Sequence, residues 1–226
     1  MEIHTLGLVD FDSCRQLQQF LVLRALKTGD PTICLLFCEH PRLITVGRGG
    51  SPADIRWGAG LVRRRQVPVR WIRRGGGCIV HQPGQLAVYP IVPLGPNGWS
   101  VGEYVELLRI ALAAGLESIG IPTNTDSHAP GLWGRSGRLV EFGVTVRNDI
   151  SYQGAFVNVN PSLGLFKLLA CGAEPAPVGS LQAERRSAAN MPKVRTALIQ
   201  AFARTFDRED YHLYCGHPWL RRRNAG

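Results

Sequence analysis

Trp71 to Val92 reads WIRRGGGCIVHQPGQLAVYPIV. Trp71-Ile72-Arg73 ends a short apolar run and Leu86 to Val92 begins another, so the pattern predicts two strands flanking a glycine-rich loop from Arg74 to Gln85. Gly75-Gly76-Gly77 permits positive φ and lets backbone N–H groups approach a ligand. Arg74 adds a fixed charge and His81 a titratable donor, a combination suited to an anionic or carbonyl-bearing substrate. Composition alone allows a second reading, a long hairpin connection with a structural histidine. The spacing fits neither G-x-G-x-x-G nor the Walker pattern with its Lys-Ser/Thr, so the loop gives no argument for a nucleotide.

Working outward, Ile3 to Val9 reads as a strand, followed by a helix capped at Asp10 or Asp12 and closed after Lys27 by Gly29-Asp30-Pro31. Thr32 to Cys38 and Leu43 to Val46 read as further strands, Ser51 to Gly60 as loop, and Val67 to Arg73 as the strand entering the glycine loop. Cys34 and Cys38 fall on one strand face as small core hydrophobes. Past the loop, Ser100 and Glu103 form a capping box that opens a helix running to Ile119, where Gly120 and Pro122 stop it. Leu132-Trp133 and Leu139 to Val146 read as strands about a Gly134–Gly137 turn, and Ala155 to Val159 as another. Leu163 to Ala170 is a short apolar run, and a last helix spans Asn190 to Phe206. Strands interspersed with a few helices predict an α/β (α+β) fold, a single domain over 1–226 with a mixed sheet and an irregular basic tail over 211–226.

At 226 residues, 45% hydrophobic and 19% charged, the chain suits one substantial core. No apolar run approaches the roughly 20 residues that span a bilayer, and the N-terminus has no basic head, so a soluble, cytoplasmic protein is expected. Cys14, Cys34, Cys38, Cys78, Cys171 and Cys215 contain no C-x-x-C pair, which suggests neither a disulfide framework nor a metal site. The formal charge of +9 comes from 23 arginines and 3 lysines against 17 acids. Nucleic acid is the generic partner for such a surface, but no aromatic-studded basic motif accompanies it, and an acidic protein or a plain compositional bias toward arginine accounts for the charge equally well.

The segments EHPRLITVGR, RGGGCIVHQPGQL with YPI, APGLW, LVEFGVTV, NVN and CG occur in the order seen in lipoyl(octanoyl) transferases, and from about Leu6 to about Phe206 the chain resembles that family, the lipoate–protein ligase B type. The resemblance implies a biotin/lipoate protein ligase-like fold and a cysteine-dependent acyltransferase of lipoate biosynthesis. It implies that an octanoyl group passes from acyl carrier protein through a cysteine thioester to a lysine of a lipoyl domain, in a 2-oxoacid dehydrogenase or the glycine cleavage H protein. No ATP and no cofactor are implied. Matched residue by residue, Cys171 is the nucleophile and Arg138 its cationic neighbour. Arg74, Gly75, Gly76, Gly77, Cys78, Ile79, Val80 and His81 match the substrate loop, and Glu141, Phe142, Gly143, Gln153, Gly154 and Ala155 the rest of the acyl pocket. The chain also departs from the pattern: Arg138 replaces a lysine, Gln153 a histidine, Glu141 a small residue, Ile79-Val80 a Thr-aromatic pair, Gln82 a glycine and Ala170 a proline. Phe166 and Cys171 are one residue closer than usual. A paralogue that binds acyl chains or carrier protein without efficient transfer is the alternative reading.

Overall fold

The computed structural model describes residues 1–55, 67–125, 130–166, 177–185 and 189–223. Cys171 and the run 167–170 lie outside them, as do 56–60 of the expected loop after Ser51. The strands are β1 (Glu2–Leu8), β2 (Cys34–Glu39), β3 (Leu43–Val46), β4 (Val69–Trp71), β5 (Cys78–His81), β6 (Gln85–Pro93), β7 (Leu132–Gly134), β8 (Gly137–Arg147), β9 (Ile150–Asn158) and β10 (His212–Cys215). The helices are α1 (Phe11–Thr28), α2 (Val101–Glu117), α3 (Leu181–Arg185), α4 (Met191–Thr205) and α5 (Pro218–Arg223).

Seven strands form a mixed sheet in the order β10-β1-β2-β6-β9-β8-β7, and β4-β3-β5 form a second, three-stranded sheet. The β1 strand pairs parallel with both β10 and β2, whereas β6, β9, β8 and β7 continue antiparallel. Buried along its whole length, QLAVYPIVP of β6 is apolar without alternation, as a central strand covered on both faces should be. One face carries Leu86, Val88, Val140, Ala155 and Val157 against α2 and α4. The other carries Ala87, Tyr89 and Phe156 against α1 and Ile79 of the second sheet.

The helix termini follow their capping chemistry. The Asp10 side chain accepts from the Ser13 N–H at 2.8 Å to start α1, and Gly29 ends it at φ +63°. Ser100 and Glu103 bond each other's backbone N–H groups at 3.2 and 2.7 Å to start α2. A methyl at Gly115 would lie 2.7 Å from Leu198 Cδ2, so α2 and α4 cross closely there.

Three expectations are corrected. The Arg74–Gln85 segment is not one loop: the β-branched run Cys78–His81 pairs antiparallel with β3, so the glycine turn ends at Gly77. The strand expected at Ala155 begins at Ile150, because a tight turn through Asn148 and Asp149, both at positive φ, closes a long β8–β9 hairpin. The tail is regular over its described part, to Arg223, since β10 extends the main sheet beside β1 and α5 packs on α1 through Trp219 and Phe20; 224–226 lie outside the described residues. Among the described residues, no helix is long and apolar enough to cross a membrane.

Candidate functional site

The glycine turn is clamped between two backbones. From one side Gly47 N–H donates to Gly77 O at 3.1 Å, Arg48 N–H to Arg74 O at 3.0 Å, and Gly49 N–H to Gly76 O at 3.0 Å. From the other, Gly75 N–H donates to Val144 O of β8 at 2.9 Å. A Cβ at Gly47 would stand 2.4 Å from Gly76 O, and Gly76 itself sits at φ +77°. Both positions therefore require glycine, one for close approach and one for its dihedral. Among the described residues, no backbone acceptor meets the N–H of Gly76 or Gly77.

Arg74 turns inward from this loop and is 0% exposed. Its guanidinium donates to Thr45 O at 2.9 Å, Thr45 Oγ1 at 2.7 Å and Gly75 O at 2.9 Å. Gly143 makes room for it: a methyl there would meet Arg74 Cδ at 2.8 Å and Phe156 Cε2 at 3.1 Å. Thr45 Oγ1 also lies 2.8 Å from His81 Nε2, and Phe156 and Phe11 edge the His81 ring. Burial first, and then His40 and Arg74, hold His81 well below the ordinary imidazole range, with the Gln85 amide alone pulling it up. At neutral pH His81 is an uncharged structural member of the seam. Gln85 Nε2 donates to Asn158 Oδ1 at 3.0 Å, and Asn158 Nδ2 reaches Arg138 O at 3.4 Å.

Arg138 stands near the start of β8. Its side chain is 3.5 Å from the Glu141 carboxylate and lies over the Trp133 ring, 5.7 Å from the centroid. Burial pushes the Glu141 carboxyl upward, while Arg138 and then Arg74 pull it back. The Arg138 backbone N–H donates to Pro177 O at 2.8 Å and its carbonyl accepts from Gly179 N–H at 3.0 Å, so the chain resumes after Cys171 directly against this residue. On the other side of the undescribed stretch, Leu165 and Phe166 pack with Ile44, Val46 and Val80 of the second sheet.

The structure gathers Arg74, Gly75 to Gly77, Ile79, His81, Glu141 and Gly143 on one side of the main sheet. It separates others. Cys78 and Val80 point into the second sheet's own core, and Phe142 and Ala155 face the α2–α4 layer, because adjacent strand residues point to opposite faces. Gly154 serves packing, since a Cβ there would lie 2.1 Å from Val88 O. Gln153 adopts φ +57° opposite Pro90, where the β6–β9 pairing is interrupted, and its N–H donates to Gln18 Oε1 at 2.8 Å. A cleft of about 280 Å³ opens beside it, with Arg15, Arg73, Arg74, Arg147 and Tyr152 among its walls.

Sequence reasoning passed over Glu39, His40, Thr45 and Tyr89. Glu39 Oε2 accepts from Gly84 N–H at 2.7 Å, fixing the turn before β6. His40 donates from Nδ1 to Val9 O at 2.8 Å and accepts at Nε2 from Tyr89 O–H at 2.8 Å. Burial holds its pKa down at about 4. The signal was present, because EHPRLITVGR carries three of these four; what was missing was the contact between that segment and the glycine turn.

Two packed sheets thus close on a glycine turn, with an arginine-based seam at one end. Residues 14–203 match the model of the lipoyl protein ligase A/B catalytic domain, and the chain belongs to that family. It is 30% identical over 205 residues to an octanoyltransferase of Syntrophobacter fumaroxidans, covering 90% of each chain. It is 32% identical over 211 residues to an octanoyltransferase of Chloroflexus aggregans, covering 92% of this chain and 95% of that one. The bipartite lipoate protein ligase of Thermoplasma acidophilum superposes with a TM-score of 0.77 at 14% identity, over 98% of this chain and 89% of that one. This structural likeness extends the agreement to the fold.

Proposed function

We propose that this protein is an octanoyltransferase that takes its acyl group from acyl carrier protein and delivers it to a lipoyl-domain lysine through a thioester on Cys171. The observation that carries the reading is the Arg138 station. Held by Glu141 and Trp133, it is hydrogen-bonded through its own backbone to Pro177 and Gly179, six and eight positions after Cys171.

In the first half-reaction the Cys171 thiolate attacks the donor thioester carbonyl. The tetrahedral oxyanion takes hydrogen bonds from the Gly76 and Gly77 N–H groups, and its collapse forms the acyl-cysteine and expels the carrier thiolate, which is reprotonated. In the second, the lysine amine attacks the acyl-cysteine, loses a proton and expels the Cys171 thiolate, leaving an amide. Arg138 favours the thiolate as nucleophile and as leaving group, but it has no lone pair with which to receive a proton. His81 does not serve as the base either, being buried, weakly basic and engaged to Thr45. The amine's proton therefore leaves to water. The arginine-walled cleft beside Gln153 suits the acidic carrier, with the net charge of +9 steering its approach.

The test uses octanoyl-acyl carrier protein and an apo lipoyl domain without ATP, followed by intact mass. An octanoyl adduct on the Cys171 peptide and a matching gain on the domain are expected, both lost in Cys171→Ala. An adduct on Cys78 with Cys171 unmodified overturns the assignment, as does a requirement for ATP. Raising ionic strength past about 0.15 M, where the Debye length is about 8 Å, should slow the first step; a salt-independent rate removes the cleft from carrier docking.

A further inference from the structure

At the opposite edge of the main sheet, Glu2 and His4 are two apart on β1 and so share a face, and Cys34 on β2 is the Cα partner of Glu2. One carboxylate oxygen, one imidazole nitrogen and the Cys34 sulfur all lie within 4.8 Å of one another. His4 is 5% exposed and Cys34 2%. His4 Nδ1 donates to Gly216 O at 3.0 Å, because a carbonyl can only accept, and this fixes the lone pair on Nε2. Among the described residues that buried nitrogen has no hydrogen-bond partner; the Glu2 carboxylate lies 4.0 Å from it. A cavity of about 590 Å³ opens beside it, walled in part by His4, Arg24, Tyr214, His217 and Trp219.

We propose that Glu2, His4 and Cys34 form a binding site for a divalent cation of the zinc class, with its fourth position open to the cavity. A thiolate, an imidazole and a carboxylate are the donors such an ion takes, and three protein ligands with a water in the fourth place is a common set. Bond lengths of roughly 2.0–2.3 Å put tetrahedral ligand atoms about 3.3–3.7 Å apart. The Glu2–His4 separation of 4.0 Å then needs only a small side-chain adjustment. The supporting contacts are those that orient ligands: Gly216 O holds the His4 tautomer, and Arg24 Nη2 bonds Glu2 Oε2 at 2.9 Å. Arg24 is an adjacent cation, and the two anionic ligands offset it. Metal binding displaces the Cys34 thiol proton to solvent.

The other buried trio, Cys14, Cys38 and His40, is no such site. Both His40 nitrogens are already engaged, with Val9 O and Tyr89 O–H. Chain spacing hides the proposed site, since its ligands meet only through β1–β2 pairing. Bound metal would tie the first strand to the second and, through Gly216, to the C-terminal segment, independently of acyl transfer.

The experiment titrates the full-length, reduced, metal-stripped protein with Co²⁺. One equivalent should produce a near-ultraviolet thiolate-to-cobalt band and the visible bands of four-coordinate cobalt, both displaced by Zn²⁺. Cys34→Ser and His4→Gln should abolish the near-ultraviolet band or weaken binding at least tenfold, whereas Cys14→Ser should leave it unchanged. Should circular dichroism show Cys34→Ser unfolded, Glu2→Gln replaces it, with at least tenfold weaker binding expected, and wild-type Tm should rise with Zn²⁺. Absence of a thiolate band in the wild type overturns the site. So does a band that survives Cys34→Ser or, if that variant is unfolded, undiminished binding by Glu2→Gln.

Discussion

The glycine turn around Arg74 and the β7–β8 turn around Arg138 both act on the Glu141 carboxylate, and they hold their arginines in different ways. Arg74 directs its guanidinium inward to Thr45 and Gly75 and is fully buried. Arg138 rests on Trp133 and meets Glu141 at 3.5 Å, with its side chain 17% exposed. The first arginine bonds two backbones together, and the second is held through its side chain by a carboxylate and a ring. Within the most specific sequence motif, the arginine side chain serves as scaffold, whereas the departure at Arg138 lies where its backbone meets Pro177 and Gly179.

The largest expected effect breaks the scaffold. Arg74→Met leaves Thr45 and Gly75 without their buried donor, and each buried acceptor left unsatisfied costs about 1–3 kcal/mol. Urea unfolding should show a lower midpoint at unchanged slope, and a loss below about 1 kcal/mol would mean that Arg74 is not the anchor.

A second effect follows from the buried histidines on the Arg74 side. His40 has a folded pKa near 4 against about 6.5 unfolded. The unfolded chain binds the proton first, so this histidine's contribution is complete above about pH 6.5 and is lost as pH falls toward 4, about 3 kcal/mol in all. His81 acts in the same direction, its pKa also being depressed. Glu141 acts oppositely: its raised pKa favours the fold at low pH, a gain lost as pH rises through that value. Thermal unfolding between pH 7 and 4.5 should show falling stability, flattened in His40→Gln. An unchanged slope in that variant would assign the acid sensitivity elsewhere.

Much of this was legible along the chain wherever the cause is local. The Ser100–Glu103 box, the Asp10 cap and the β3 run Leu43 to Val46 depend on neighbours within a few residues, and the sequence places them closely. Cys78–His81 was hidden because a four-residue strand next to three glycines is indistinguishable from loop until β3 is beside it. β10 was hidden because its apolar residues, Leu213, Tyr214 and Cys215, run consecutively without alternation and stay exposed; its place depends on β1. Within the site, residue type identified Arg74 and His81, but their roles required Thr45, 29 and 36 positions earlier. Strand alternation, applied to the matched segments, would have turned Cys78, Val80, Phe142 and Ala155 away from the seam.

A third prediction sharpens the contrast at its packing surface. Gly143→Ala places a methyl 2.8 Å from Arg74 Cδ and 3.1 Å from Phe156. Overpacking of this kind costs about 1–3 kcal/mol. Since the two sites share a contact, combining it with Arg74→Met should be less than additive in a double-mutant cycle. Full additivity would show that the two do not share the clash.

The smallest effect on stability falls on Arg138, where the effect on rate should be largest. A half-buried cation over a ring and one long ion pair contribute on the order of 1 kcal/mol, so Arg138→Lys should shift the unfolding midpoint only slightly. Lowering a cysteine pKa from about 8.5 by two units takes roughly 2.7 kcal/mol, which either cation supplies, so the acylation burst should be similar in both proteins. The second half-reaction differs, because a lysine in its neutral form accepts a proton and an arginine does not. With His81 sealed in the seam, wild-type transfer should be slow and Arg138→Lys should speed amide formation roughly tenfold or more, within the range general base catalysis supplies. Single-turnover measurement of each half-reaction decides it. Fast wild-type transfer unchanged by Arg138→Lys would make the substitution harmless, and absence of a burst at pH 7 would show that Arg138 does not activate Cys171.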